Sequence, residues 1–508
     1  MKPDTHSGNR GLDLEEPLLF ELGRDGRTGV DLPEPPKVAS RLGGLERADT
    51  IGLPGVSEPE VVRHFVRISR NNYSIDANLY PLGSCTMKHN PRLNEKMARL
   101  PGFGDVHPLQ PESTVQGALE LIHTLGTWLK KITGLPAIAM PPAAGAHGEL
   151  CGMMAIRAAH EAKGDKNRHR VLIPESAHGT NPATAAQCGF EVDPVPGNER
   201  GRIDIAAVKA KLGPDVAGIM LTNPNTLGLF ENDVIEVANA IHSVGGYFYA
   251  DGANFNAIVG KARPGDMGVD AIHINLHKTF STPHGGGGPG SGPVAFSAAL
   301  APYAPLPMVV EQAGGRFHLV EHRGNKGEPG EHSFGRLRTF NGQMGMFVRA
   351  LSYMMSHGSD GLRQVAEDAV LSANYIMASL AGDMTSPFEG PCMHEALFDD
   401  RFLEGTGVTT LDFAKAMIDE GYHPMTVYFP LVVHGAMLTE PTETESKQSI
   451  DRFIGVLRHL ARKAKAGDAE FFKNSPKYSP RRRVDETGAA RNPVLRWQPT
   501  APRAQAAE

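Results

Sequence analysis

From position 137 to 296 short apolar runs alternate with helical stretches, and no other feature of the 508-residue chain restricts its fold as much. Strands that recur singly, each followed by a helix, cannot pair as hairpins. The helix must cross over and return the chain parallel to itself, which gives an α/β fold with a mostly parallel sheet covered on both faces. The strand candidates are 137–140, 171–173, 191–195, 216–221, 246–250 and 271–276, with helices expected at 149–163, 205–212 and 232–244. Before the sheet, 115–131 carries Leu119, Ile122, Leu125 and Leu129 at helical spacing. After it, 343–355, 361–378 and the runs LDFAKAMIDEGYH and MTVYFPLVV read as a smaller α+β C-terminal domain. The expected division is therefore an N-terminal arm (1–60), a large domain with its preceding helices (61–330), a small C-terminal domain (331–474) and an Arg- and Pro-rich tail (475–508).

Composition removes several functional classes. A formal net charge of −6 gives no basic field to concentrate nucleic acid, so no nucleic-acid role is expected. Cys85, Cys151, Cys188 and Cys392 lie far apart without a C-x-x-C pair, which points to neither a zinc knuckle nor a disulfide framework and fits a reducing cytoplasm. The start MKPDTHSGNR lacks an apolar stretch, and no run of apolar residues is long enough to span a bilayer. Neither a signal peptide nor a membrane span is expected.

In an open α/β sheet, ligands bind at the carboxyl edge of the strands, so the residues just after each strand candidate carry the functional information. After the first comes PPAAGAHGEL, where Ala144, Gly145 and Ala146 are small enough for backbone N–H groups to approach an anion; an ordinary tight turn would look the same. After the second comes PESAHGTNP, with His178 at the rim, where an imidazole can lie on a planar ring or simply be solvated. After the fourth comes LTNPNTLG, where Asn223 can donate to a ring oxygen, although N-P-N is also a turn sequence. After the fifth, Asp251 ends an apolar run. A buried carboxylate needs a partner, either a protonated pyridine nitrogen or an Arg or helix N-terminus. After the sixth, Lys278 follows His277 and precedes Thr279, and partial desolvation there favours the amine form that condensation with an aldehyde requires. Phosphate turn, stacking residue, amide, carboxylate and lysine in that order match what a pyridoxal phosphate site must supply.

Two other constellations are weaker. The literal G-x-G-x-x-G at 285–290 is not a dinucleotide fingerprint, because Pro289 and Pro293 forbid the helix that must follow it. His273, His277 and His284 lack an accompanying acidic ligand at regular spacing, so no metal is expected.

The stretches LGSCTMKHNP (82–91), PPAAGAHGEL (141–150), IPESAHGTNPATAA (173–186), LTNPNTLGLFE (221–231), DGANFNAIVGKARPGDMG (251–268) and HINLHKTFSTPHGGGGPGSGP (273–293) resemble the carboxyl-terminal half, or second subunit, of the glycine cleavage system P-protein. They span most of 70–345. The resemblance implies a fold-type I pyridoxal 5'-phosphate enzyme, with Lys278 as the lysine joined to the cofactor and His277 beside it. It also implies Asp251 for the pyridine nitrogen, His178 for stacking and Ala144 to Ala146 for phosphate. The implied reaction is decarboxylation of glycine, with transfer of the aminomethyl group to the lipoyl arm of the H-protein. It implies a separately encoded first subunit as well, in a heterotetramer of two of each. Composition and spacing alone support only a generic pyridoxal-phosphate enzyme, such as another fold-type I lyase or transferase acting on amino acids. A scaffold half that has lost its cofactor is disfavoured, since Lys278, Asp251 and the phosphate turn are all present. Cys85 receives no role.

Overall fold

A computed structural model describes residues 16–49, 51–284 and 290–498. The chain forms two compact units, one from the described parts of 1–74 and 474–508 and the other from 75–473. The first has little regular structure, chiefly the helices Glu58–Ser69 and Glu486–Arg491. Glu16 is bound by both Arg67 (2.6 Å) and His64 (3.0 Å), and Phe20 stacks on Trp497 at 4.9 Å. Residues of the opening MKPDTHSGNR and the Gly-rich run 285–289, including the discarded dinucleotide fingerprint, lie outside the described residues.

The second unit contains a seven-stranded sheet. Its strands are β1 (Ala137–Ala139), β2 (Arg170–Pro174), β3 (Glu191–Val195), β4 (Val216–Thr222), β5 (Tyr247–Asp251), β6 (Ala271–His273) and β7 (Val294–Phe296). They lie in the order β1-β7-β6-β5-β4-β2-β3, and only β7 runs antiparallel to its neighbours. Every residue of β4 and β5 is buried, as expected for central parallel strands covered on both faces. β3 tolerates Pro194 because it is an edge strand with no further partner.

Alternation along the strands sorts side chains into two cores. Tyr247, Tyr249, Ala217 and Met220 pack with Cys151, Ile156 and Ala159 of the helix Gly145–Ala162. Phe248, Ala250, Ile219 and Leu221 pack on the other face with the helices Val234–Ser243 and Gln116–Thr133. The helix Gln116–Thr133 stops where Gly134 takes φ 72°, the left-handed conformation that closes a helix C-terminus without cost to glycine.

The structure revises several expectations. The strand candidate 271–276 ends at His273. Beyond it the N–H groups of Ile274 and Leu276 turn to the Pro293 and Ser291 carbonyls, so Lys278 sits on a single helical turn, Leu276–Thr279. The helix expected from 149 begins at Gly145. The two helices expected at 343–355 and 361–378 are both present within Met344–Leu380, which kinks between them where Gly358 takes the non-helical φ 64° and ψ −173°. That helix leads into the small domain, where the strands Ala396–Phe398, Met437–Thr439 and Thr426–Val427 form an antiparallel sheet. Among the described residues no helix is long and apolar enough to cross a membrane.

Candidate active site

Asp251 is the last residue of β5 and is only 3% exposed. One carboxylate oxygen accepts the Ala253 N–H at 2.9 Å, and the other accepts from the Asn181 amide at 3.0 Å. His273 Nε2, at the end of β6, lies 3.4 Å away. Burial pushes this carboxyl toward the neutral acid, but His273, Asn181, the Ala253 N–H and the charge of Lys278 outweigh it and hold the group below the usual carboxylate range. A carboxylate only accepts, so His273 Nε2 carries hydrogen and its Nδ1 accepts the hydrogen bond from the Tyr249 hydroxyl at 2.6 Å.

Asn181 also donates to Glu149 at 3.0 Å, and Glu149 accepts the Thr180 hydroxyl at 2.6 Å. Burial and then the Asp251 charge raise the Glu149 pKa, so of these two neighbouring acids Asp251 is the one kept ionised. Thr180 in turn lies 2.9 Å from His178 Nδ1. His178 is exposed, its ring centroid 5.6 Å from that of Phe429 in an edge-on arrangement.

Lys278 is half-buried, and its Nζ donates to the Ser84 carbonyl at 2.8 Å. Ser84 belongs to LGSCTMKHNP, which runs between the large domain and the small-domain sheet. Thr426 holds the Gly83 carbonyl at 2.6 Å, and Lys88 is buried against Asn256 (2.9 Å) and Glu443 (2.6 Å). His277 beside Lys278 accepts the Ser291 N–H at 3.3 Å and lies 3.2 Å from the Asn275 amide. Burial, then His284 and Lys278, push its pKa down to about 3, so it is a neutral imidazole. Burial does the same to His284, at about 4.

The helix Gly145–Ala162 opens beside these groups. Its first N–H groups, from Gly145, Ala146 and His147, have no acceptor within the helix, and Ala144 precedes them in extended conformation. A Cβ on Gly145 would lie 2.6 Å from the Asn275 amide and 3.2 Å from His273. Glycine is what lets this positive helix end rest against the His273–Asn275 ledge. Asn223 uses its carbonyl to accept the Glu231 N–H at 3.0 Å, while its NH2 is buried without a partner. The Thr279 and Ser291 hydroxyls are likewise buried and unpartnered. An anion-receptive helix end, idle donors, an ionised buried carboxylate and an amine fit a flat heteroaromatic ring bearing phosphate, oxygen, nitrogen and aldehyde groups.

Sequence reasoning placed Lys278, His277, Thr279, Asp251, Asn223 and Ala144 to Ala146 near one sheet edge, and they lie there. His178 joins them through Thr180 and Glu149. Asn181, His273, Glu149 and Ser84 went unassigned. A signal existed for Asn181, which lies on the same post-strand segment as His178.

The fold and this site define a fold-type I pyridoxal-phosphate enzyme. The class-V aminotransferase family model matches residues 151–287, and a model described as glycine dehydrogenase, C-terminal domain, matches 365–480. A probable glycine dehydrogenase (decarboxylating) subunit 2 of Caulobacter vibrioides is 66% identical over 99% of this chain and 96% of its own length. One from Desulforamulus reducens is 49% identical over 96% of this chain and all of its own. Among solved structures, inhibitor-bound glycine decarboxylase (P-protein) of the glycine cleavage system shares the fold with a TM-score of 0.67 and 20% identity, covering 85% of this chain and 91% of that one. A cysteine desulfurase from Escherichia coli scores 0.56 at 15% identity, covering 77% and 95%. The chain belongs to the glycine dehydrogenase (decarboxylating) subunit 2 family.

Proposed function

We propose that this chain removes carbon dioxide from glycine on pyridoxal phosphate and passes the aminomethyl group to the lipoyl disulfide of an H-protein. The observation that carries the reading is an ionised, buried Asp251 at the end of β5 within electrostatic range of the Lys278 amine on the turn after β6, in a chain so similar to relatives named for that activity.

Bound pyridoxal phosphate supplies an electron sink for the pair of electrons left when the carboxylate departs. The protein's part is to hold and tune it. Lys278, whose amine the Ser84 carbonyl positions, would hold the cofactor through its aldehyde. Asp251 keeps a proton on the ring nitrogen, and His273, Asn181 and Ala253 keep Asp251 charged for that purpose. The open N–H groups at Gly145 and Ala146, after Ala144, take the phosphate. The idle Asn223 NH2 and the Thr279 hydroxyl donate to cofactor oxygens. His178 covers a ring face, and neutral His277 packs beside the lysine without adding charge. His178→Ala is expected to raise the cofactor dissociation constant several-fold with little change in melting temperature. An unchanged constant in a spectroscopic titration would remove its stacking role.

A first subunit completes the enzyme in this reading, as a heterotetramer of two of each. The N-terminal unit supports it, since Leu32, Val38 and Leu45 are 80%, 81% and 85% exposed, apolar surface better suited to lying on another chain. Alone, the subunit is expected to bind cofactor but to exchange labelled carbon dioxide with glycine slowly, and adding the first subunit should restore exchange. Full exchange by the unaccompanied chain, verified by its mass in solution, would refute the assembly.

A further inference from the structure

The small domain turns a second set of acidic groups toward Lys278. His394 and Glu395 lead into the strand Ala396–Phe398 and Glu440 leaves Met437–Thr439. Those strands pair with Ala396 opposite Thr439, so all three side chains emerge at one corner of the sheet. Each is 0% exposed, and one nitrogen or carboxylate oxygen of each lies within 4.8 Å of the others. His394 Nε2 stands 3.9 Å from Glu440, beyond hydrogen-bond reach. Both nitrogens of His394 and one oxygen of Glu395 are buried without a partner, and the Thr86 hydroxyl beside Glu440 is the one neutral donor that bears on it. The other Glu395 oxygen accepts the Ser84 N–H, and it is the Ser84 carbonyl that holds Lys278. One residue therefore stands between Glu395 and the lysine. Cys85, next to it, lies within electrostatic range of Glu395, Glu440 and Lys278, and Glu443 within range of Glu440.

Two fully buried carboxylates with so few donors cannot both remain ionised. Burial raises both, and the charge of Glu395 raises Glu440 further, against the opposing influence of Lys278. Burial and Lys278 keep His394 neutral, so it offers no compensating charge. The Cys85 thiol is pushed up by burial and holds its own proton.

We propose that Glu395 and Glu440 share one proton, and that this pair is the donor that protonates the leaving sulfur when a cyclic disulfide is opened at the site. The proposal rests on the glycine-decarboxylating reading, whose balance calls for one proton. The bond from the aminomethyl carbon to the carboxylate breaks and carbon dioxide leaves as a neutral molecule. The two electrons of that bond form a new C–S bond to one sulfur. The S–S bond breaks, its electron pair stays on the second sulfur, and that sulfur takes the proton from the acid pair. The disulfide is thereby reduced, the carbon oxidised, and the pair recovers its proton from solvent once product departs.

The test uses the enzyme assembled with its first subunit, glycine and lipoamide as the disulfide probe. In Glu440→Gln and Glu395→Gln, net aminomethyl transfer is expected to fall roughly a hundredfold more than carbon dioxide exchange measured without disulfide. Independently of turnover, the cofactor-free wild-type subunit at neutral pH should show the infrared carbonyl stretch of a buried neutral carboxylic acid, and a difference spectrum against Glu440→Gln should contain a component of it. The wild-type spectrum needs no variant to fold. Absence of the band, an equal fall of both rates, or a stoichiometric divalent ion on the purified protein would overturn the proposal. A wild-type enzyme that shows the band but no glycine-dependent exchange would refute the glycine reading, and the donor role with it.

Discussion

Lys278→Ala is expected to abolish exchange of carbon dioxide with glycine, by at least ~10³-fold, and to remove the visible absorption of lysine-bound cofactor. The fold should survive. The one hydrogen bond lost is to the Ser84 carbonyl, and leaving that acceptor unpaired costs about 1–3 kcal/mol, a fraction of an ordinary domain's stability. Phosphate binding at the helix N-terminus, with Asn223 and Thr279, is untouched, so some cofactor should still associate. Absorbance of the purified variant and an isotope-exchange assay check both halves of the expectation. Turnover near the wild-type rate would sink the assignment of Lys278.

Asp251→Asn should fold, yet lose activity by about 10²–10³-fold. An amide cannot hold a positive ring nitrogen as a carboxylate does, and the surroundings magnify the defect. Asn181 and the Ala253 N–H both donate to Asp251, so the NH2 of the new side chain must face one donor. That mismatch costs about 1–3 kcal/mol and adds a stability loss to the chemical one. Steady-state rates with thermal melts separate the two, and a rate within a few-fold of wild type would make Asp251 merely structural.

The central sheet was legible in the sequence because its inner strands are largely apolar and bounded by turn residues. β3 agrees with its expected limits, and β4 and β5 differ by one residue. β7 was not read, being a three-residue run set among glycines and prolines whose pairing depends on a distant β1 and on β6. The break expected between 355 and 361 was legible as well, and it falls at Gly358, whose φ and ψ are non-helical. At the site, groups that follow strands announced themselves by position. Ser84, Glu395 and Glu440 did not, because their importance arises only when segments hundreds of residues apart fold together. His273 drew notice only as a possible metal ligand, whereas it touches the Asp251 carboxylate.

The helix Met344–Leu380 has a mechanical consequence. Its residues up to Ala366 belong to the core beneath the sheet, while Ala373, Ile376 and Leu380 belong to the core of the small domain. The irregular Gly358 lies within the first of these stretches, so the span from 366 to 373, where one core gives way to the other, is unbroken helix. Any swing of the small domain must bend hydrogen-bonded turns rather than open a loose joint. The stretch that follows Gly358 acts as a stiff spar between the two cores.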